Sequence, residues 1–210
     1  YTLTGAVFAN TITINNAAAN VVIGASGTSS CTDVFLTAGT LDLGSYTTNL
    51  IAGNYTQAAG TLATTVQGKT IVGNIVTPDA VTVAAGTSLD INVEATEYIR
   101  SNTTWTVLNG GAGGAVVAPA VTDNSAILSF TSASASAGQD LTITAMRTMT
   151  YDKIATGNAA AAGAVLEEIG EAGTTGDMSK VLGELDSIPT LGAISQALKT
   201  VIPVVDSSVT

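Results

Sequence analysis

The segment Ala38-Gly39-Thr40-Leu41-Asp42-Leu43 decides the fold, because the chain repeats it twice. Similar segments follow as Ala59-Gly60-Thr61-Leu62-Ala63-Thr64 and Ala85-Gly86-Thr87-Ser88-Leu89-Asp90-Ile91. Offsets of about 21 and about 26 residues are typical of one turn of a stacked repeat protein. Each copy begins with a turn, in which glycine permits a positive φ or a close backbone approach. The sequence therefore predicts that the copies lie above one another.

Short alternating strands lie around these copies. Thr11-Ile12-Thr13-Ile14, Val81-Thr82-Val83 and Asp90-Ile91-Asn92-Val93 each place Ile or Val on one face and polar residues on the other. Such a strand cannot bury its apolar face alone, but stacked turns can share one core. We predict an inward direction for Leu41, Leu43, Ile91 and Val93, and an outward direction for Thr11 and Thr82.

These patterns predict an all-β fold class: a right-handed parallel β-helix (solenoid) with a C-terminal β-hairpin cap and a short α-helical tail. Residues 1–93 are predicted to form the parallel β-helix turns, residues 94–150 the capping turns and hairpins, and residues 151–210 an α-helical linker segment. The hairpins would cover backbone groups that the last turn leaves unpaired.

The capping segment is predicted to contain a core on which folding begins. It holds the only tryptophan and the longest alternating strands, and so it offers the most apolar area per residue for nucleation. We interpret Trp105 and Phe130 as core residues rather than as a platform for stacking a ligand. The predicted cap and folding core consists of Tyr98, Trp105, Val107, Phe130, Leu141 and Ile143.

After Tyr151 the hydrophobic period changes from two to about 3.6, which indicates helices. We predict a second helix that Asp177 caps and Pro189 ends, and a third that Thr190 caps and that stops before Pro203. Helices this short need a docking surface to be stable. The first helix is predicted to share one apolar face among Ala162, Val165, Leu166 and Ile169.

The composition excludes several classes of function. The chain has no histidine, 10% charged residues and a net charge of −10. Nucleic-acid binding requires clustered Lys and Arg, so we predict no nucleic-acid partner. One cysteine without histidine cannot form a zinc site. Cys31 also lacks a histidine to activate its thiol and is interpreted as a small buried apolar residue.

The densest group of carboxylates before the helices comprises Asp90, Glu94 and Glu97, with Arg100 nearby. A carbohydrate-active β-helix enzyme would require such carboxylates to converge on a substrate. We interpret the group as a solvated strand and loop face. The glycine run at 110–114 lacks the aspartate of calcium-binding repeats. We therefore predict no catalytic residue, no metal site and no cofactor.

Five segments in order resemble the passenger domains of type V secreted autotransporters, especially their C-terminal autochaperone region. They are Tyr55-Thr56-Gln57-Ala58-Ala59-Gly60-Thr61-Leu62 and residues 85–90, 104–108, 128–130 and 140–145. The Ala-rich run from Asn158, the helices and Pro203-Val204-Val205-Asp206 are similar to the linker that leads to an outer-membrane barrel.

The resemblance implies a non-catalytic, surface-exposed passenger fragment of a bacterial autotransporter. It would serve as a stem and, through residues 94–150, as an autochaperone for secretion. The implied partners are a C-terminal outer-membrane β-barrel after Thr210 and a host or neighbouring-cell surface ligand, with self-association left open. The alternatives are an adhesin, favoured by a large exposed apolar or aromatic patch, and a carbohydrate-active enzyme, favoured by carboxylates converging in a groove.

Overall fold

The computed structural model describes residues 1–3, 10–24, 27–29, 32–50 and 53–201. Cys31 and Pro203-Val204-Val205-Asp206 lie outside the described residues. The strands are β1 (Thr2–Leu3), β2 (Thr11–Ile23), β3 (Gly27–Ser29), β4 (Asp33–Asp42), β5 (Thr47–Leu50), β6 (Asn54–Gln57), β7 (Thr61–Val66), β8 (Asn74–Val76), β9 (Val81–Val83), β10 (Ser88–Val93), β11 (Thr104–Asn109), β12 (Ala115–Val116), β13 (Ala120–Asp123), β14 (Leu128–Ala135) and β15 (Asp140–Arg147). The helices are α1 (Tyr151–Ile154), α2 (Asn158–Ala172), α3 (Asp177–Asp186) and α4 (Leu191–Thr200), and a 3-10 turn spans Ser136–Gly138.

The strands form two sheets. In the first sheet, seven strands follow the order β12-β9-β6-β4-β7-β10-β13, while β2 pairs with β4 and β1 with β2. All of these pairs are parallel. The second sheet has the order β14-β15-β11-β8-β5-β3. It is mixed, because β15 runs antiparallel to both β11 and β14.

The three sequence repeats stack as predicted. Leu41 pairs with Leu62, and Leu62 pairs with Leu89, in parallel register across β4, β7 and β10. The glycine of these two repeats has a positive φ, which is 83° at Gly39, within β4, and 79° at Gly60, just before β7. A Cβ at Gly60 would lie 2.6 Å from the carbonyl oxygen of Gly39. Glycine is therefore required by both the turn and the contact between layers.

The predicted direction of the strand side chains is confirmed for the buried set. Leu41, Leu43, Ile91 and Val93 are all buried in one hydrophobic core. Thr11 is exposed and Thr82 is half-buried. The period-two pattern thus identified the inward face, because successive side chains of a strand point to opposite sides.

The motif that begins at Tyr55 joins two layers of the stack. The side-chain nitrogen of Gln57, which is fully buried, donates to the carbonyl oxygens of Gly60 and Ser88, both at 3.1 Å. Tyr55 is also fully buried, and its hydroxyl has no hydrogen-bond partner among the described residues. Gln57 therefore holds the corner of one repeat to the strand of the next.

The prediction of an all-β, right-handed parallel β-helix is wrong. The structure is mixed, with 23% helix and 42% strand, and its strands do not close into a solenoid within the described ranges. Alternation and repeats indicate which strands are neighbours, whereas closure depends on how the backbone curves between them. The tail also differs from an appendage, because Leu166, Leu182 and Ile194 belong to the same core as the strands.

The helices agree only in part with their predicted ends and faces. Thr190 caps α4 as predicted, since its hydroxyl accepts from the Ala193 amide at 3.3 Å. Asp177 was predicted to cap α3, but Gly176 is the N-cap and Asp177 is the first helical residue. Val165, predicted inward, is 56% exposed. None of the described helices has the length and apolar character needed to cross a bilayer.

We expect Leu62→Ala to lower the free energy of unfolding by about 2–5 kcal/mol, because it removes the middle member of the stacked leucines. Thr82→Ser is the control and should change stability by less than about 0.5 kcal/mol. Urea denaturation of both variants measures the difference. Equal effects of the two substitutions would contradict the observed register.

We expect Tyr55→Phe to flatten the alkaline limb of the stability profile. Burial raises the pKa of the Tyr55 phenol above its ordinary value of 10.0. Above that value the unfolded chain loses this proton while the folded chain keeps it. Below the ordinary pKa of a phenol, the Tyr55 hydroxyl is protonated in both the folded and the unfolded chain, and its titration takes nothing from the free energy of unfolding. As the pH rises further, the free energy of unfolding falls by about 1.4 kcal/mol per pH unit.

The variant removes this loss together with an unpaired buried hydroxyl, so its stability near neutral pH should equal or exceed that of the parent by about 1–3 kcal/mol. Urea titrations between about pH 8 and about pH 11.5 measure both effects. Parallel profiles for the variant and the parent would show that Tyr55 is not the group responsible.

Candidate functional site

A buried cluster of charged residues lies where the strands meet the helices, and Arg147 is at its centre. Arg147 ends β15 and continues the inward phase of Leu141, Ile143 and Ala145, all of which are buried. Its side chain is only 4% exposed. The alternation of the strand thus directs a guanidinium group into the core.

Asp186 is the principal partner of Arg147. Arg147 Nη1 lies 2.8 Å from Asp186 Oδ1, and the side chain of Asp186 is fully buried at the end of α3. The same oxygen accepts from the Tyr151 hydroxyl at 2.6 Å, while Oδ2 accepts from the Ile99 amide at 2.9 Å. One carboxylate therefore binds β15, α1 and the segment before β11.

Glu167 extends the cluster to α2. Its Oε1 accepts from Arg147 Nε at 3.1 Å and from the Tyr98 hydroxyl at 2.5 Å, and its Oε2 accepts from the Tyr151 amide at 3.2 Å. The Tyr98 hydroxyl also lies 2.9 Å from Glu171 Oε1. The guanidinium carbon of Arg147 lies 4.2 Å from the centre of the Tyr98 ring and 5.0 Å from that of Tyr151, so both rings contribute cation–π contacts.

Burial sets the ionisation of this cluster. It raises the pKa of Tyr98 and of Tyr151 above the ordinary value for a phenol, so both hydroxyls remain hydrogen-bond donors. Burial also raises the pKa of Asp186, although Arg147 and the Tyr151 hydroxyl oppose that rise. Burial lowers the pKa of Arg147, but Asp186, Tyr151 and Glu167 outweigh it, and the pKa is raised. The guanidinium therefore stays charged.

Glycines allow the helices to approach the strands closely at this cluster. A Cβ at Gly170 of α2 would lie 2.5 Å from the Tyr98 ring, and one at Gly183 of α3 would lie 2.5 Å from the Ala95 carbonyl oxygen. Arg100 reinforces the contact by donating to the carbonyl oxygens of Gly170 and Glu171 at the end of α2. The C-terminal end of a helix carries a partial negative charge, so the cationic side chain of Arg100 is favoured there.

The predicted cap and folding core is buried, but it falls into two places. Trp105 pairs with Ile143 across β11 and β15, and its ring centroid lies 6.2 Å from that of Phe130. The indole nitrogen donates to the Gly68 carbonyl oxygen at 2.9 Å. Tyr98 belongs instead to the charged cluster. Val107 and Leu141 are fully buried as well, and a role for any of these residues in folding remains a prediction.

Each of the acidic residues singled out in the sequence has its own hydrogen-bond partner, although Glu97 lines one surface cleft beside α3 and Glu94 lines the adjoining one. Asp90 accepts from the Thr122 hydroxyl, Glu94 from the side chain of Asn92, and Glu97 from the backbone amide of Lys69. Arg100 points to α2 rather than to these carboxylates. Across the part of the chain that the structure describes, no group of three or more His, Cys, Asp or Glu residues is placed to hold a metal ion.

The surface beside the cluster has two adjoining clefts, of about 500 Å³ and 410 Å³. Both are lined by Thr96 and Glu184; Glu97 also lines the larger cleft, and Glu94 and the end of β10 line the smaller one. The charged cluster does not open into them as a reactive site, because Arg147 and Asp186 are enclosed. Its chemistry is that of a fixed ionic and hydrogen-bonded connection.

Sequence reasoning missed the residues of this cluster, although signals for two of them exist. Arg147 occupies the inward phase of a strand whose preceding inward residues are apolar. Asp186 lies on the helical stripe that also contains Ser179, Leu182 and Gly183, all of them buried. A charge on a buried face requires a partner of opposite charge. Pairing these two positions would have predicted how the helices attach.

No protein-family model, curated protein or solved structure matches this chain.

We expect Arg147→Met to lower the free energy of unfolding by about 3–5 kcal/mol, because it leaves the buried Asp186 without its charged partner. Lys180→Met is the control. Lys180 lies 3.8 Å from Asp177 in an exposed pair, and its loss should cost less than about 1 kcal/mol. Urea denaturation measures both.

The double variant Arg147→Met/Asp186→Leu should be more stable than Arg147→Met alone, since the fully buried Asp186 charge is then removed with its partner, while Glu167 keeps the hydrogen bonds from Tyr98 and the Tyr151 amide. A double variant that loses the sum of the two single effects would show that the residues act independently.

Proposed function

We propose that this chain is a non-catalytic, surface-exposed segment of a bacterial autotransporter passenger. In this proposal the stacked strands act as a stem, and residues 94–150 act as the nucleus from which the stem folds during secretion. The observation that carries the proposal is the buried cluster of Arg147, Asp186 and Glu167, which ties the last strand to the helices at the C-terminal end of the stack.

Chain connectivity favours early folding of the capping segment. β14 and β15 form an antiparallel hairpin with only residues 136–139 between them. The parallel neighbours β4, β7 and β10 must instead bring together residues that are 21 and 27 positions apart, Thr40 with Thr61 and Thr61 with Ser88. Short loops are closed at lower entropic cost, so local hairpins form before distant parallel pairs.

The formed hairpin offers a template for the remaining strands. β15 pairs with β11, and β11 pairs with β8, so pairing can pass from the hairpin into the parallel stack. In a stack each layer contacts only its neighbours, and folding propagates from the layer that forms first. In this proposal folding propagates from residue 150 towards residue 10.

Secretion is supported by the sequence resemblance and by composition. A single cysteine cannot form a disulfide within the chain, so transport of an unfolded chain would not be blocked by one. The proposed location is the outer face of the outer membrane. The proposed partners are an outer-membrane barrel after Thr210 and a surface ligand of a host or neighbouring cell.

A ligand-binding adhesin is the second candidate. The two adjoining clefts beside α3 favour it, because concave sites of this size hold small ligands. Binding to a glycan or peptide array that Glu184→Gln abolishes would support this candidate. Binding that survives the substitution would place the ligand elsewhere.

We expect the folding transition state to contain the hairpin but not the N-terminal strands. Leu141→Ala in β15 and Leu36→Ala in β4 are matched probes, since both leucines are fully buried. Leu141→Ala should give a φ-value above about 0.5 and Leu36→Ala one below about 0.3. Stopped-flow refolding followed by tryptophan fluorescence measures both.

In intact cells that express the complete gene, Leu141→Ala should reduce the surface display of the chain more than Leu36→Ala does. Protease accessibility and antibody labelling of unbroken cells provide the readout. A higher φ-value at Leu36 would remove the folding-nucleus role. Retention of the parent chain inside the cell would remove the autotransporter assignment independently.

A further inference from the structure

The outer edge of β14 is an open edge of the second sheet. β14 is the terminal strand of the second sheet, and it pairs only with β15. The predicted hairpin cap therefore shifts the unpaired edge from β11 to β14 and does not remove it. Strand edges of this kind are the usual sites at which one chain adds to another.

Backbone hydrogen bonds alternate in direction along the hairpin, and this alternation identifies which N–H and C=O groups of β14 point away from β15. Thr148 donates to the Ile127 carbonyl oxygen at 2.8 Å, so residues 129, 131, 133 and 135 are the ones that exchange hydrogen bonds with β15. The amides of Arg147 and Ala145 point the other way, to Ser101 and Thr103. The backbone groups of Phe130, Ser132 and Ser134 consequently face away from the sheet.

Those outward groups are unoccupied. The amide of Leu128 donates to Ser125 Oγ at 3.1 Å, but no described residue pairs with the backbone N–H or C=O of Phe130, Ser132 or Ser134. The side chain of Ser134 is exposed, as are those of Thr131 and Ala133. Three donors and three acceptors thus form a row along the edge of β14, which is exposed at Ser134, half-buried at Ser132 and buried at Phe130.

β14 also lacks the features that normally protect an edge. Its sequence Leu128-Ser129-Phe130-Thr131-Ser132-Ala133-Ser134-Ala135 contains no lysine, no proline and no other charge. Of the terminal strands of the first sheet, β12 has two residues and β13 has four, whereas β2 has thirteen and, among the described residues, is paired on its outer side only at Val22 and Ile23, by β1. The eight residues of β14 make it the long open edge at this end of the structure.

The charge distribution indicates what can dock there. The chain carries a net charge of −10, so most of its surface repels a second copy. Residues 124–139 contain no charged side chain. Two copies can therefore approach each other at this edge without opposing carboxylates on the pairing strand.

We infer that β14 is a self-association edge, at which two copies of this chain pair antiparallel and continue the second sheet across the interface. The strand is complementary to itself, because an axis at Ser132 places each Phe130 opposite Ser134 of the other copy. A twofold axis of this kind gives a closed dimer. The inference does not depend on the proposed role in secretion.

The association is expected to be weak. A single edge of eight residues buries less surface than the ~1,200 Å² of a standard stable interface, which indicates a dissociation constant of about 1–100 µM. Added salt should strengthen the dimer, because it screens the repulsion between two acidic copies.

Sedimentation velocity of the full chain and of two lysine variants tests the inference. Ala133→Lys places an exposed charge on the edge and should raise the dissociation constant by about tenfold or more. Ala161→Lys is the control; it makes the same change in net charge at an exposed site of α2 and should leave the dissociation constant unchanged. A chain that stays monomeric at about 200 µM would overturn the inference.

Hydrogen exchange of the parent chain gives an independent measurement. The amides of Phe130, Ser132 and Ser134 should gain protection as the concentration rises, while amides that already pair with β15 should not change. Ser134→Pro removes one outward donor without removing a hydrogen bond to β15, and it should also weaken the dimer. A dimer that both Ala133→Lys and Ser134→Pro leave intact would place the contact on another face.

Discussion

The ion pair between Arg147 and Asp186 is the interaction on which the arrangement of sheets and helices depends. Each charge is buried, so each requires the other, and the pair fixes how β15 lies against α3. Tyr151 and Ile99 use the remaining hydrogen-bonding capacity of Asp186. The helices would otherwise be too short to hold their own structure. The pair therefore turns a short helical tail into part of the core.

The parallel stack depends on a different constraint, which is that glycine occupies the turn of each repeat. Gly39 and Gly60 adopt the same positive φ, and no side chain would fit where the Cβ of Gly60 meets the layer below. The leucines that follow then fall into register. Because each layer repeats the geometry of the one before it, the stack has no internal point at which it must end.

The antiparallel hairpin of β14 and β15 provides that end. β14 and β15 pair antiparallel at the end of the second sheet, Phe130 packs against Trp105, and Arg147 binds Asp186 of α3. The same hairpin leaves an uncharged edge at β14. The hairpin thus ends the stack and also leaves β14 able to pair with another strand. Its small polar and apolar residues permit both properties.

The sequence by itself determined the repeat, its parallel stacking, the inward face at Leu41 and Ile91, and the cap at Thr190, because these follow from local periodicity and turn chemistry. It did not determine the mixed fold class or the charged cluster. Whether sheets close depends on backbone curvature, which no residue pattern encodes. Arg147 and Asp186 are 39 positions apart, and only tertiary packing, by excluding water from both, made them partners.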